Sequence, residues 1–163
     1  AAALKRGREA GMTVILNPAP APGSTAAVDE LLGAADVVTP NRLEACALLG
    51  IPSRPEPDWA DCARRLMARG PRAVVVTLGA DGCLAAEGDR IETIAARRVA
   101  AVDAVGAGDA FNGALAVALA ERRPLAEAAA WASAAAALAV TQPGAQSALP
   151  RRPAIDYLAR TPD

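Results

Sequence analysis

The chain has 163 residues, 53% of them apolar, yet its aromatic residues are only two Trp, one Tyr and one Phe, so a core must be built from Ala, Val, Leu and Ile. Lys and Arg number 17 against 18 Asp and Glu with no block of either sign, which argues against a nucleic-acid-binding patch or a membrane-surface helix. Histidine is absent, which removes Ser-His-Asp and Cys-His nucleophile systems, His-based zinc motifs and any histidine base, and leaves carboxylates, backbone amides and bound ions to carry the chemistry.

The opening AAALKRGREAG reads as the end of a helix, with basic residues in its last turns and Gly11 as its stop. It has no start signal of its own, so the chain reads as a piece of something longer, cut inside a helix. No basic-then-apolar signal pattern precedes it, and a cytoplasmic location is the default. TVIL (13–16) is a short apolar run that ends at a proline-rich turn and reads as a buried strand. Ser24 or Thr25 can cap a helix through AAVDELLGA. DVVT (36–39) is a second strand, and Pro40 keeps Thr39 extended. NRLEACALLG (41–50) is a helix with Asn41 at its N-cap and Gly50 at its end. DWADCARRLMARG (58–70) is another, capped by Asp58, with Leu66 and Met67 on its buried side.

AVVVTLG (73–79) is a central strand, and CLAAEG and RIETIA form a hairpin around Gly88-Asp89. An extended run reaches Asp103, followed by two long helices at about 108–122 and 125–140, the second starting at Pro124. The Ala-rich stretch 126–140 falls short of the roughly 18 apolar residues of a spanning helix. Cys46, Cys62 and Cys83 are odd in number, far apart and without a C-x-x-C, which suits reduced, buried thiols. Strands alternating with helices favour an α/β fold with a mostly parallel sheet, in which ligands gather beyond the C-terminal ends of the strands. Asn17, Asn41 and Thr77-Leu78-Gly79 all fall at such ends.

The stretch AVDAVGAGDAFNG (101–113) places a carboxylate at the mouth of a small-residue turn. It is not a dinucleotide fingerprint, because Phe111 stands where Gly or Ala belongs, and no Gly-Lys-Ser/Thr follows to make a Walker A loop. The turn offers the N–H groups of residues 106 to 109 at the start of a helix, where they have no intrahelical partners and the helix dipole is positive. Such donors form an anion hole suited to a phosphate. A carboxylate beside it, Asp109, can take the proton of a hydroxyl that attacks a γ-phosphoryl group. The same residues also read as a helix start that Asp109 merely stabilises.

DAVGAGDAFNGAL (103–115) resembles the signature of the ribokinase-like (PfkB) family of carbohydrate kinases, and LNPAPA (16–21), TPNRLEACALLGI (39–51), TLGADG (77–82) and VTQPGAQSALP (140–150) resemble further family motifs in the family's order. The resemblance covers essentially the whole chain, read as one unit over residues 1–163, and implies the C-terminal half of a three-layer α/β/α kinase domain. It implies Asp109 as the catalytic base that meets the sugar, with Gly106, Ala107 and Gly108 completing the anion hole. ATP would be met by Asn41, by Thr77, Leu78, Gly79, Ala80, Asp81 and Gly82, by Gly108 and Asp109, and by Ser133 near the adenine. The two glycines of the 77–82 loop would permit close approach to the nucleotide. Glu44 would act through water on Mg²⁺. A K⁺ ion would be held by Asp103, Val105, Ala139, Gln142, Gly144 and Ala148, mostly through backbone carbonyls. Two departures stand out: Ala104 replaces the family's usual Thr, and Ala148 its usual Ser.

The family's sugar-binding residues, its small β-sheet lid and the homodimer contact made by that lid belong to an N-terminal half that this sequence does not contain. The resemblance therefore implies an ATP-dependent kinase for D-ribose, acting at the 5-hydroxyl, represented by a segment inactive alone. A fructokinase, a ketodeoxygluconate kinase, a nucleoside kinase and a truncated, non-catalytic nucleotide-binding module are the alternatives. An exposed sheet edge is expected where further strands belong.

Overall fold

Five short strands form one sheet in chain order: β1 (Ile15–Leu16), β2 (Val37–Val38), β3 (Ala73–Thr77), β4 (Cys83–Glu87) and β5 (Arg90–Ile94). They belong to a computed structural model that describes residues 2–21 and 26–161. β1 pairs with β2 and β2 with β3 in parallel, Ile15 opposite Val37 and Val37 opposite Ala73. The links from β3 to β4 and from β4 to β5 are too short for a parallel crossover, and Gly88-Asp89 is the two-residue turn of a hairpin. The chain is thus α/β with a mostly parallel sheet, the class expected, and among the described residues it carries seven α-helices.

The chain divides into two units, one of Ala1–Gly79 with Leu84–Thr93, the other of Ala80–Cys83 with Ile94–Asp163. In the first, α1 (Ala2–Glu9), α2 (Ala26–Ala34), α3 (Arg42–Leu49) and α4 (Trp59–Met67) accompany the sheet. Val37, Val38 and Val74 to Val76 are fully enclosed, as strands of a parallel sheet are when both faces are covered. Val28 and Leu32 of α2, Leu48 of α3 and Leu66 of α4 pack with Val38, Val74 and Val76 into one aliphatic cluster. Asp36 holds the approach to β1, its Oδ2 accepting from Val14 N at 2.8 Å.

The second unit contains α5 (Ala107–Ala120), α6 (Leu125–Ala139) and α7 (Arg152–Arg160). Ala110, Phe111, Ala114, Leu115 and Ala118 line the buried face of α5, and seven of the ten buried residues of α6 are alanine. Small side chains on both let two helices approach closely, which offsets the scarcity of large apolar residues. Two guanidinium groups approach the ring of Trp131 in α6, Arg123 at 4.9 Å and Arg152 at 5.4 Å from the ring centroid. Its Nε1 donates to Asp156 of α7 at 2.8 Å, and Glu121 accepts from both arginines, with Arg152 Nη2 at 2.9 Å. This network fastens α7 to α6.

Several local expectations change in detail. TVIL pairs only through Ile15 and Leu16, and both are half-buried because β1 lies at the edge of the sheet. Met67 is half-buried, whereas Leu66 is enclosed. The run toward Asp103 forms neither helix nor strand over residues 95–101. Helix α7 follows from no feature read in the sequence. Ser24 and Thr25, the expected caps of α2, lie outside the described residues. All three cysteines are free and buried, and burial pushes the Cys83 thiol up to about 12. No helix among the described residues is long and apolar enough to cross a membrane.

Candidate functional site

In the first unit the end of β3 lies beside the start of α3. Thr77 N donates to Pro40 O at 2.9 Å, and Asn41 and Thr77 form an isolated parallel bridge. Asn41 is the N-cap of α3: its Oδ1 accepts from Glu44 N at 2.9 Å while Glu44 Oε2 accepts from Asn41 N at 2.8 Å. This reciprocal pair is a capping box. Each side chain thereby commits one polar atom to the helix start, leaving Asn41 Nδ2 and Glu44 Oε1 outside the box. Leu78 is buried, so its backbone and not its side chain is what it can offer a ligand. Gly79, Ala80 and Asp81 are exposed and form a short 3-10 turn.

Gly82 is explained differently from what the family likeness implied. A Cβ there would stand 2.0 Å from Ile94 O, so the chain's own backbone requires glycine and the residue itself is buried. At Gly79 nothing lies within 4 Å of such a Cβ. Asn17, at the end of β1, is exposed.

In the second unit Asp103 joins two loops. Its Oδ2 accepts from Gly144 N at 2.9 Å and its Oδ1 from Val105 N at 3.0 Å. Val102 N and Asp103 N both donate to Val140 O, at 2.7 and 3.1 Å. The Gly144 and Val105 amides hold the Asp103 carboxyl below its usual range. The chain then turns at Gly106, which is left-handed (φ 79°) and caps α5 with no side-chain hydrogen bond. A Cβ on Gly106 would meet Ala145 Cα at 2.9 Å, so close packing and dihedral angle both demand glycine. Gly108 differs, because a Cβ there meets nothing within 4 Å. Asp109 sits one residue on, exposed, in the first turn of α5, and Asn112 Nδ2 donates to Gly108 O at 2.8 Å.

The structure therefore brings Asp103, Val105 and Gly144 together, with Ala139 and Gln142 flanking the Val140 carbonyl that accepts from the Asp103 loop. Ala139 and Ala148 have buried side chains, so any contribution from them is through backbone oxygen. A carboxylate and carbonyls are an all-oxygen donor set, which fits a hard cation such as K⁺. Among the described residues no group of three or more acidic, Cys or His side chains could hold a metal. Glu44 is a lone carboxylate, and a lone carboxylate with substrate phosphates is a common way to bind Mg²⁺. Ser133 is buried within α6. Sequence reasoning missed Arg42, whose Nη1 donates to Leu78 O at 2.7 Å; the partners lie 36 residues apart and no local signal joins them.

A family model described as pfkB family carbohydrate kinase matches residues 1–152. Ribokinase from Haemophilus influenzae is 39% identical over 142 residues, covering 87% of this chain and 45% of that protein. The structure of Arabidopsis thaliana ribokinase complexed with ribose and ATP superposes with a TM-score of 0.85 at 30% identity, over 98% of this chain and 51% of that one. Aminoimidazole riboside kinase from Salmonella enterica, complexed with aminoimidazole riboside and an ATP analogue, gives a TM-score of 0.81 at 32% identity, over 98% and 56% respectively. The chain spans about half the length of these relatives.

Proposed function

The chain belongs to the pfkB family of carbohydrate kinases, and on that premise we propose that it is the nucleotide-handling and proton-abstracting part of an ATP-dependent sugar kinase. The observation that carries this reading is the start of α5. There, an uncapped first turn, an open space at Gly108 and the exposed Asp109 carboxylate occur within four residues. Uncapped first-turn N–H groups attract an oxyanion, and a glycine that the fold does not require leaves room for one.

In the proposed reaction Asp109 accepts the proton of the sugar hydroxyl as its oxygen bonds the γ-phosphorus of ATP. The bond from that phosphorus to the bridging oxygen breaks, and ADP leaves. The N–H groups of the Gly106 to Asp109 turn stabilise charge on the transferring group, that of Ala107 by exchanging its long 3.3 Å bond to Ala104 O for the ligand. Asn41 and the Thr77–Gly82 segment bind the nucleotide. Glu44, through its oxygen outside the capping box, would help hold Mg²⁺, which would supply charge neutralisation on the phosphates when bound. The Asp103 and Gly144 loops would hold K⁺ and so brace the turn at Gly106. Ser133, being buried, would bound the adenine site and not reach into solvent.

D-Ribose is the proposed sugar, its 5-hydroxyl the acceptor, on the strength of the Haemophilus and Arabidopsis relatives. The Salmonella relative makes a riboside the second choice. Sugar contacts, a lid and a homodimer contact through it are assigned to the half of the relatives' length that this chain does not span. The test replaces the matched segment of the Haemophilus enzyme with this chain and follows ADP release with D-ribose, with and without K⁺. Ribose-dependent turnover that Asp109→Asn abolishes supports the reading. Turnover that survives Asp109→Asn overturns the assignment of the base.

A further inference from the structure

We infer that Arg42 is a positioning residue that orients the Leu78–Gly79 peptide for a phosphate-bearing ligand; this rests on the reading of Thr77–Gly82 as the nucleotide segment. Arg42 is the first residue of α3, directly after the Asn41 cap, so its side chain leaves the helix beside the capping box. Its Nη1 donates to Leu78 O at 2.7 Å. Behind it, Glu56 Oε1 lies 3.2 Å from Arg42 Nε, and the Trp59 ring centroid is 6.0 Å from the guanidinium carbon. Trp59 Nε1 donates to the same Glu56 oxygen at 2.8 Å. The Glu56 ion pair and the Trp59 ring thus flank the guanidinium, while its Nη1 delivers a charge-assisted hydrogen bond to Leu78 O.

What that bond controls follows from peptide geometry. A trans peptide is planar, and its N–H points opposite to its C=O. With the Leu78 side chain fixed in the core and its carbonyl held by Arg42, the Gly79 N–H must point away from Arg42. Gly79 is exposed and left-handed (φ 62°), with nothing within 4 Å of the position a Cβ would take. An aimed backbone donor therefore belongs to an exposed residue. Such a donor suits a phosphate oxygen. The 3-10 turn over Gly79–Asp81 also restrains this peptide; without Arg42 it loses its second restraint, and the donor is less firmly aimed.

The test compares ATP and adenosine binding to the chain and to Arg42→Ala, by titration followed with ligand-detected NMR, alongside thermal melting. We expect Arg42→Ala to weaken ATP about 5- to 10-fold and adenosine by less than about 2-fold, the scale of one oriented donor to a charged ligand. Arg42→Lys keeps one donor to Leu78 O but not the fork, and should lose about 2- to 3-fold. It also carries the test if Arg42→Ala fails to fold. In the chimeric kinase the same variants should raise KM for ATP with kcat nearly unchanged. Folded variants with wild-type ATP affinity overturn the inference. Equal losses for ATP and adenosine also overturn it, since they make Arg42 a support of the core alone. If the unsubstituted chain binds neither ligand, the nucleotide assignment itself falls and takes this inference with it.

Discussion

Helices α3 and α5 both begin at a polar turn, and they treat their first-turn donors in opposite ways. At α3, Asn41 and Glu44 satisfy each other's backbone N–H groups in a closed box. At α5 the cap is a left-handed glycine with no side-chain hydrogen bond, and the carboxylate of the turn, Asp109, is exposed. A side-chain cap is worth about 1 kcal/mol over alanine but only about a few tenths over glycine, so with Gly106 as its cap α5 leaves its donors open at little cost in stability. The difference teaches where to look for chemistry in this chain: a helix start that satisfies itself stabilises the fold, and one left open is available to a ligand.

The sharpest way to break the contrast is Asp109→Asn in the chimeric kinase. Turnover should fall by about 10² to 10⁴, the usual worth of a positioned base, while ATP affinity changes less than about twofold; a rate within threefold of wild type would return Asp109 to the role of a helix-start charge. Next come the two glycines. Gly106→Ala should destabilise the chain by about 2 kcal/mol in urea titrations, because it strains a positive φ and crowds Ala145. Gly108→Ala should do the reverse, adding up to about 1 kcal/mol of helix stability while weakening ATP binding about tenfold. A Gly108→Ala protein that gains stability and still binds ATP normally would show that the open space is not used.

On the α3 side, Asn41→Ala should cost about 1 kcal/mol. Glu44→Gln keeps an acceptor for Asn41 N, so stability should hold within about 0.5 kcal/mol while the Mg²⁺ requirement for turnover rises. An unchanged Mg²⁺ titration would leave Glu44 as a cap and nothing more. The smallest effect expected is at Glu121, just past the C-terminal end of α5, whose carboxyl the Arg152 and Arg123 hydrogen bonds pull down to about 2. A depressed carboxyl stabilises the fold above its unfolded value near 4.3 and loses that contribution as pH falls toward its folded value. Melting of wild type and Glu121→Gln should therefore differ at pH 6 and converge from about pH 4 downward. A gap that is constant with pH would assign the difference to lost contacts alone.

Where a signal is local, the sequence was readable. Asn41 and Gly50 bound α3 and Asp58 caps α4 as expected, β3 coincides with the Val run, and Gly88-Asp89 turns the hairpin. The motif around Asp109 was legible because its turn, its small residues and its carboxylate are consecutive. Helix α7 was not, since only Ile155 among its residues is buried and its anchor is Trp131, more than twenty residues upstream.

By itself, then, the sequence determined the α/β class, the order of strands and helices, and the candidate residues at the α3 and α5 starts. The class, the element order and the turn before Asp109 rest on hydrophobic periodicity, capping spacings and turn residues, all of which act within a few positions; the ligand roles of Asn41 and Glu44 rest on the family resemblance. Tertiary structure alone decided how those residues are used. It joined Asp103 to Gly144 across 41 positions and Arg42 to Leu78 across 36. It made Gly106 and Gly82 obligatory by bringing other backbone against them, and it left Gly108 facing open space. Hydrogen bonds and close approaches between distant segments exist only once the chain has collapsed, so no local pattern encodes them.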